Sequence, residues 1–210
     1  IYSSYIGSGT TFNDLTGNGN YFQLTNSPTY VSTEPKNFSL SAASSQYFLY
    51  YVSIGNPTGN TGLSLPSANS WTCSFWFRTT TNTTYNPFLS HMGSGPVYCI
   101  MGTTGTTLTY YHYNGGFYFK NGTTNILDNI WHQAVFVNTA NTMIIYLDGV
   151  VEKASFDSTV SGPSNLVNGF GGSWIGTFTG NLANFMYYNT NLSAAQVLQN
   201  YNAQKHKFGK

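Results

Sequence analysis

Acid, base or nucleophilic chemistry needs carboxylates, imidazoles or thiols in pairs, and this chain is poor in all three. It has six carboxylates (Asp14, Glu34, Asp128, Asp148, Glu152 and Asp157), four histidines (His91, His112, His132 and His206) and two cysteines (Cys73 and Cys99). Glycoside hydrolysis takes two carboxyl groups about 5 to 9 Å apart across one bond. Asp148 belongs to a turn and Glu152 is expected further along the same hairpin arm, opposite Ile145, so neither finds a carboxylate partner in an E-x-D-x-x-E type arrangement. The histidines lack zinc-site spacing, with no thiolate close to any of them. No serine sits in a G-x-S-x-G elbow, and Gly169, Gly171 and Gly172 lack the lysine of a phosphate loop and read as turns. These patterns argue against an enzyme.

Rings are what the chain has in excess: 17 tyrosines and 4 tryptophans, more than a core of this size requires. The densest run is Tyr110-Tyr-His-Tyr-Asn-Gly-Gly-Phe-Tyr-Phe119. Flat rings flanked by amides suit the apolar faces and hydroxyls of sugars, which makes Tyr110, Tyr111, His112, Tyr113, Asn114 and Tyr118 the candidate ligand-binding residues. A hairpin turning at 114–116 would carry them. Its length is ambiguous by one residue, so either Tyr110 and His112 or Tyr111 and Tyr113 face outward. The same rings would also serve to fill a core or a contact with a neighbouring subunit.

Charged residues make up 6% of the chain, against about 25% in a typical soluble domain, so Asn, Thr, Ser, Gly and Tyr must supply its solubility. Such surfaces associate readily, which points to homo-oligomers or other structural subunits as partners. With net charge +1 and lysines thinly scattered until Lys205, Lys207 and Lys210, there is no basic stripe for nucleic acid. No run approaches the ~20 apolar residues of a membrane span. The start at Ile1 fits a processed form or one domain of a longer polypeptide, and the sequons at Asn37, Asn82, Asn121 and Asn191 fit an exposed life.

These residues need elements to hold them, and short apolar runs between Gly, Asn, Pro and Thr clusters predict many short antiparallel strands. The expected strands cover 46–52, 71–79, 97–101, 106–113, 117–121, 131–138, 142–147, 150–156, 173–177 and 183–188. Two packed antiparallel sheets follow, an all-β sandwich in one domain spanning residues 1–210. Asp148-Gly149 suits a two-residue type I′ turn, pairing Leu147 with Val150 and Tyr146 with Val151. One short helix closes the chain: Ser193 caps it, Gln196 completes a capping box, Leu192 staples against Val197, and Val197, Leu198 and Tyr201 face the sandwich. Alternation puts Cys73 on the face of Trp71 and Phe75. The two cysteines read as buried apolar fillers or as a disulfide between adjacent strands.

The order of the pieces resembles the laminin G-like and pentraxin-like branch of the concanavalin A-like lectin/glucanase superfamily. Asp14-Leu-Thr-Gly-Asn-Gly-Asn20 is similar to the family's D-x-S-G-N-G-N entry loop, and Ser44-Ser-Gln-Tyr-Phe48 sits where a strand of the form D-Y-V follows. Trp71-Thr-Cys-Ser-Phe-Trp-Phe77 resembles F-T-I-S-x-W-V. The most specific pair is Trp131-His-Gln-Ala-Val-Phe136 against W-H-H-V-A-V and Tyr146-Leu-Asp-Gly-Val150 against Y-V-D-G-V. Ile175-Gly176, then Phe178-Thr-Gly-Asn-Leu-Ala-Asn-Phe-Met186 and Asn189 to Val197, resemble the closing strand and helix. The tail from Gln199 to Gly209 looks like those of structural proteins of phages and large DNA viruses.

The resemblance implies a jelly-roll sandwich in which His132 serves packing and strand hydrogen bonding. It also implies an edge Ca²⁺ site, for which Asp14, Asn18 and Asn20 offer oxygens. Ala183, Asn184 and Met186 stand where the family has an acidic pair and a basic residue. No cofactor or metal is therefore expected, and an Asx-turn at Asp14 is the alternative use of that loop. The expected function is a non-catalytic glycan-binding or adhesion module on an extracellular or virion surface. The alternative is a structural packing or decoration protein of a capsid or fibre.

Overall fold

The computed structural model describes residues 5, 7–13, 15, 21–41, 43, 45–51, 63–64, 69–90, 99–113, 115–159, 166–167, 169–173 and 176–210. Of 47–51, 63–64, 99, 166–167, 169–170, 172–173 and 176 only the backbone is described. Turn-forming residues divide the described chain into strands β1 (Thr11–Asn13), β2 (Tyr21–Thr25), β3 (Thr29–Val31), β4 (Asn37–Leu40), β5 (Tyr47–Tyr51), β6 (Leu63–Ser64) and β7 (Trp71–Arg78). Then come β8 (Thr83–Ser90), β9 (Cys99–Gly105), β10 (Thr107–Tyr113), β11 (Phe117–Asn121), β12 (His132–Thr139), β13 (Thr142–Leu147) and β14 (Val150–Asp157). The short β15 (Leu166–Val167), β16 (Gly169–Phe170), β17 (Gly172–Ser173) and β18 (Gly176–Thr177) precede β19 (Gly180–Tyr188), helix α1 (Ala194–Gln204) and a 3-10 turn, Lys205–Phe208.

The described strands form a front sheet in the order β1-β2-β5-β16-β8-β9-β10-β11 and a back sheet in the order β14-β13-β12-β7-β19-β4-β3, with β6–β15 and β17–β18 as small separate pairs. The architecture is the expected all-β antiparallel sandwich with one short C-terminal helix. Inward residues of both sheets, among them Trp71, Phe75, Phe77, Phe88, Met101, Leu108, Phe136 and Ile145, pack in one fully buried cluster. Each such large side chain contributes about 1.5–3 kcal/mol on burial.

The back sheet is covered on both faces. Thr72, Ser74 and Trp76 on the outward row of β7 are as buried as Trp71, Cys73 and Phe75 on the inward row. The cover is the chain's end. Val197 of α1 and Leu192 pack on Val135, Val137 and Tyr146, while Phe208 of the 3-10 turn packs on Trp76, Trp131 and Ala183. Ser193 and Gln196 form the expected capping box. Leu198 departs from expectation: it is 44% exposed, because one residue of helix rotation carries it past the stripe that Val197 and the half-buried Tyr201 occupy.

The Asp148-Gly149 turn has positive φ at both residues (51° and 81°), and Leu147 pairs with Val150 and Tyr146 with Val151, as the dipeptide requires. Beyond it a bulge shifts the register, so Lys153 rather than Glu152 lies opposite Ile145. Glu152 instead accepts the backbone N–H groups of Thr123 and Thr124 and the Thr124 hydroxyl, tying the chain after β11 to the edge of the back sheet.

Strand β8 escaped the sequence reading because Pro87 argues against a central strand. Its pairing with β9 slips on both sides of Asn86–Pro87, and these irregularities accommodate the missing proline N–H. The expected strand 106–113 forms as β10, while the strand expected at 97–101 runs on as β9 to Gly105, where the two turn tightly with φ 59°. Cys73 is fully buried on β7 of the back sheet and Cys99 belongs to β9 of the front sheet, so a disulfide between adjacent strands is ruled out. Of the sequon asparagines, Asn82, Asn121 and Asn191 are exposed. Asn37 is buried, donating to Pro35 O and accepting from Asn181 Nδ2.

Candidate ligand-binding surface

The aromatic run folds as the β10–β11 hairpin at the edge of the front sheet. Tyr113 pairs with Phe117, His112 with Tyr118, Tyr111 with Phe119 and Tyr110 with Lys120. The connection is therefore three residues long, with Gly115 at φ 69°. That length decides the orientation: Tyr110, His112, Tyr118 and Lys120 share the row turned toward the other sheet, and Tyr111, Tyr113, Phe117 and Phe119 share the outer row.

Tyr110 is a core residue, 1% exposed, and its placement in a ligand-binding surface is corrected accordingly. Its hydroxyl donates to Ser158 O at 3.5 Å and its ring lies 6.0 Å from that of Phe156. The reason is positional, because β14 closes over this part of the inward row. His112, further toward the hairpin end, is also buried, beside Tyr110 at 5.3 Å and stacked on Tyr118 at 5.5 Å and 23°. Burial pushes its imidazole below the ordinary value of 6.5; Asp157 opposes this and Lys120 reinforces it. Its Nδ1 has no hydrogen-bond partner among the described residues.

Tyr118 is 46% exposed, and the Lys120 ammonium sits 5.9 Å from its ring centre. On the outer row Tyr111 is buried, although it faces away from the core. Phe117 stacks on it at 5.6 Å, Phe119 lies at 4.7 Å, and Tyr85 of β8 meets it edge-on at 5.7 Å. Tyr113 is half-buried, edge-on to Phe117 at 5.1 Å. Asn114 lies outside the described residues, as do His91 and the entry-loop residues Asp14, Asn18 and Asn20. Phe117, Phe119 and Lys120 were in or beside the sequence run but lacked the tyrosine signature. Tyr85 and Asp157 come from strands that no local signal connects to it.

A second polar cluster surrounds His132, which is 6% exposed. Its Nδ1 lies 2.8 Å from Asp148 Oδ2 and its Nε2 3.2 Å from both oxygens of Asp128. Asp148 Oδ1 accepts the Gln133 N–H at 2.8 Å, and Lys210 Nζ reaches Asp148 Oδ2 at 3.1 Å. Burial works against the charge on Asp148, but His132, the Gln133 N–H and Lys210 outweigh it and hold its carboxyl below the ordinary 3.8. Asp128 is held low in the same way, by the Ile130 N–H and by His132 against its own partial burial. Sequence reasoning missed this convergence of two carboxylates, which arrive from 16 residues and 4 residues away. They meet opposite ring nitrogens, so they clamp the imidazole rather than face one reacting bond. Among the described residues no group of three or more His, Cys, Asp or Glu is arranged to hold a metal, and no helix is long and apolar enough to cross a membrane.

A family model described as concanavalin A-like lectin/glucanases superfamily, of laminin G type, matches residues 51–198. The chain belongs to this superfamily. In shape the chain is similar to a botulinum neurotoxin type C structure, reported with cell entry dependent on two ganglioside molecules. There the identity is 13%, the match covers 94% of this chain and 49% of that one, and the TM-score is 0.67. Domain 4 of AbnA, an extracellular GH43 arabinanase from Geobacillus stearothermophilus in complex with arabinotriose, matches at 17% identity over 89% of this chain and 90% of that one, with TM-score 0.66. The binding domain of botulinum neurotoxin serotype G matches at 15% identity over 92% of this chain and 48% of that one, with TM-score 0.69. This superfamily member thus spans about half the length of the neurotoxin chains it matches. At such identities the likeness concerns the fold. No curated protein matches the sequence.

Proposed function

We propose that this chain is a non-catalytic glycan-binding or adhesion module that works outside cells or on a particle surface, its 210 residues acting as one sandwich unit. The observation that carries the reading is the edge hairpin β10–β11, which holds Tyr118 in the open beside Lys120 and over His112. An exposed ring next to fixed donors and acceptors suits the two-sided chemistry of a sugar, apolar on one face and hydroxylated at its rim. Two structural neighbours add support, one reported with gangliosides and one with arabinotriose. The carboxylates favour binding over hydrolysis. Asp128 and Asp148 are engaged with His132, Glu152 with Thr123 and Thr124, and Asp157 with Thr159. None of these four is placed against another across an open cleft.

The test is a glycan array probed with the isolated chain and with Tyr118→Ala and Tyr113→Ala. Selective binding that is lost in a variant is the expected result. Absence of binding to every glycan refutes the reading.

A second reading, a packing or decoration subunit of a capsid or fibre, is favoured by the outer row. Phe117 and Phe119 are 57% and 39% exposed side by side, with no polar tip to keep them wet. Sedimentation equilibrium distinguishes it: stable oligomers that dissolve on Phe117→Ser with Phe119→Ser support packing, and a monomer at all concentrations excludes it.

A further inference from the structure

Among the described strands the two sheets end in β1 and β11 at the front and in β14 and β3 at the back. A sheet edge offers backbone N–H and C=O groups to any passing chain, and proteins blunt such edges with short strands, bulges or charge. Three of these four are blunted. β1 and β3 are three residues long, and β14 has a bulged register with Glu152, Lys153 and Asp157 along it. β11 is not blunted. It runs five residues in unbroken register with β10, contains no proline, and bears one charge, Lys120, whose ammonium lies 5.9 Å from the ring of Tyr118 in the same strand. Phe117, Tyr118, Phe119 and Asn121 are exposed, so the edge is open to solvent.

Register decides which backbone groups point outward. The Gly122 N–H donates to Leu108 O, so Leu108, and by alternation Tyr110 and His112, turn their backbone groups toward β11. Lys120 and Tyr118 stand opposite Tyr110 and His112 and turn theirs toward β10. Phe119, between them, therefore directs its N–H and C=O away from β10, to the side where no described strand lies.

We propose that β11 pairs antiparallel with β11 of a second copy of this chain, about a two-fold axis at Phe119, so that two front sheets join into one. Self-complementarity selects a second copy over a strand of another protein. The register centred on Phe119 overlaps the strand with itself from Phe117 to Asn121. It sets Phe119 opposite Phe119 of the second copy in an exchange of backbone bonds, and Tyr118 opposite its Lys120, so that each ammonium meets a ring. Centring on Lys120 would instead oppose two ammonium groups directly, which is destabilising. On the outer face the Phe119 ring lies 4.7 Å from that of Tyr111 and 6.0 Å from that of Tyr85. Pairing carries this row of rings across the axis and gives Phe119, 39% exposed, an apolar neighbour on its open side. Such a contact uses the same patch on both copies, consumes the edge and closes at two. The proposal is independent of sugar binding; it rests on the packing reading and narrows it to one partner and one strand.

Sedimentation equilibrium of the whole chain is expected to show monomers in equilibrium with dimers. Phe119→Lys and Phe119→Glu each set like charges opposite one another at the axis and are expected to weaken dimerisation about tenfold or more. An equimolar mixture of the two variants is expected to dimerise again, because the same register now opposes unlike charges. Val151→Lys, at an exposed apolar position on the β14 edge, is expected to leave the dimer constant within about threefold. Melting curves matching the parent show that the variants fold, and recovery in the mixture is a second check, since two damaged folds do not rescue each other. Dimers that persist in both single variants, or folded variants whose mixture stays monomeric, overturn the proposal and leave packing to another surface. A chain that is monomeric at all concentrations overturns the proposal and the packing reading together.

Discussion

Replacing Phe208 by alanine removes the ring that closes the outer face of the back sheet. Phe208 is 6% exposed, lies flat on Trp76 with centroids 3.9 Å apart and planes 6° from parallel, and meets Trp131 edge-on at 5.2 Å. A buried Phe→Ala change costs about 3–5 kcal/mol, and each ring pair adds about 0.5–1.5 kcal/mol to simple area burial. Phe208 sits in an outer layer that can partly collapse, so the lower end, ~3 kcal/mol, is expected. For a domain of this size that lowers the melting temperature by about 6–12 °C. Circular dichroism measures the shift. Tryptophan emission provides a second readout, because Trp76 and Trp131 become wet and their emission moves to the red. Phe208→Leu, which keeps most of the volume, is expected to lose under half as much. A Phe208→Ala protein that melts within about 2 °C of the parent with unchanged emission refutes the idea that the chain's end is part of the folded core.

Gln133 is fully buried with neither Oε1 nor Nε2 hydrogen-bonded among the described residues, so Gln133→Met is expected to stabilise by about 1–2 kcal/mol in thermal melts. A lower melting temperature means that ordered water pairs the amide. Asp128 and Asp148 are held below 3.8 in the folded chain, so their contribution is complete above that pH and is lost as the pH falls through the folded values. Denaturant melts from pH 6 down to about pH 2 should be flat and then fall, with a shallower fall in Asp148→Asn; an equal fall in both proteins removes the clamp from the account. Calorimetry of the 210-residue chain is expected to give one cooperative transition, and two resolved transitions divide the proposed single unit.

Local grammar was legible where one dipeptide or one periodicity suffices. Asp148-Gly149 specified its hairpin because both residues tolerate positive φ, and Ser193 with Gln196 specified the helix start because their side chains reach the unpaired N–H groups there. β8 was lost because Pro87 is a local veto that a bulge overrides in three dimensions. Alternation was equally blind on β7 and β12, where a second cover of the outer face makes both rows apolar or buried.

Scarcity of ionisable groups, the succession of short strands and the ring-rich run at 110–119 belong to the sequence alone, because composition and period are carried by residues in order. Which rings meet solvent was settled only by the fold. A one-residue difference in the 114–116 connection exchanges Tyr110 and His112 with Tyr111 and Tyr113, and β14 arriving over the inward row buries Tyr110 while Tyr118 stays open. The pairing of His132 with Asp128 and Asp148 likewise depends on turns and strand order. Side chains on different strands become neighbours only through long-range register, which no short window of sequence encodes.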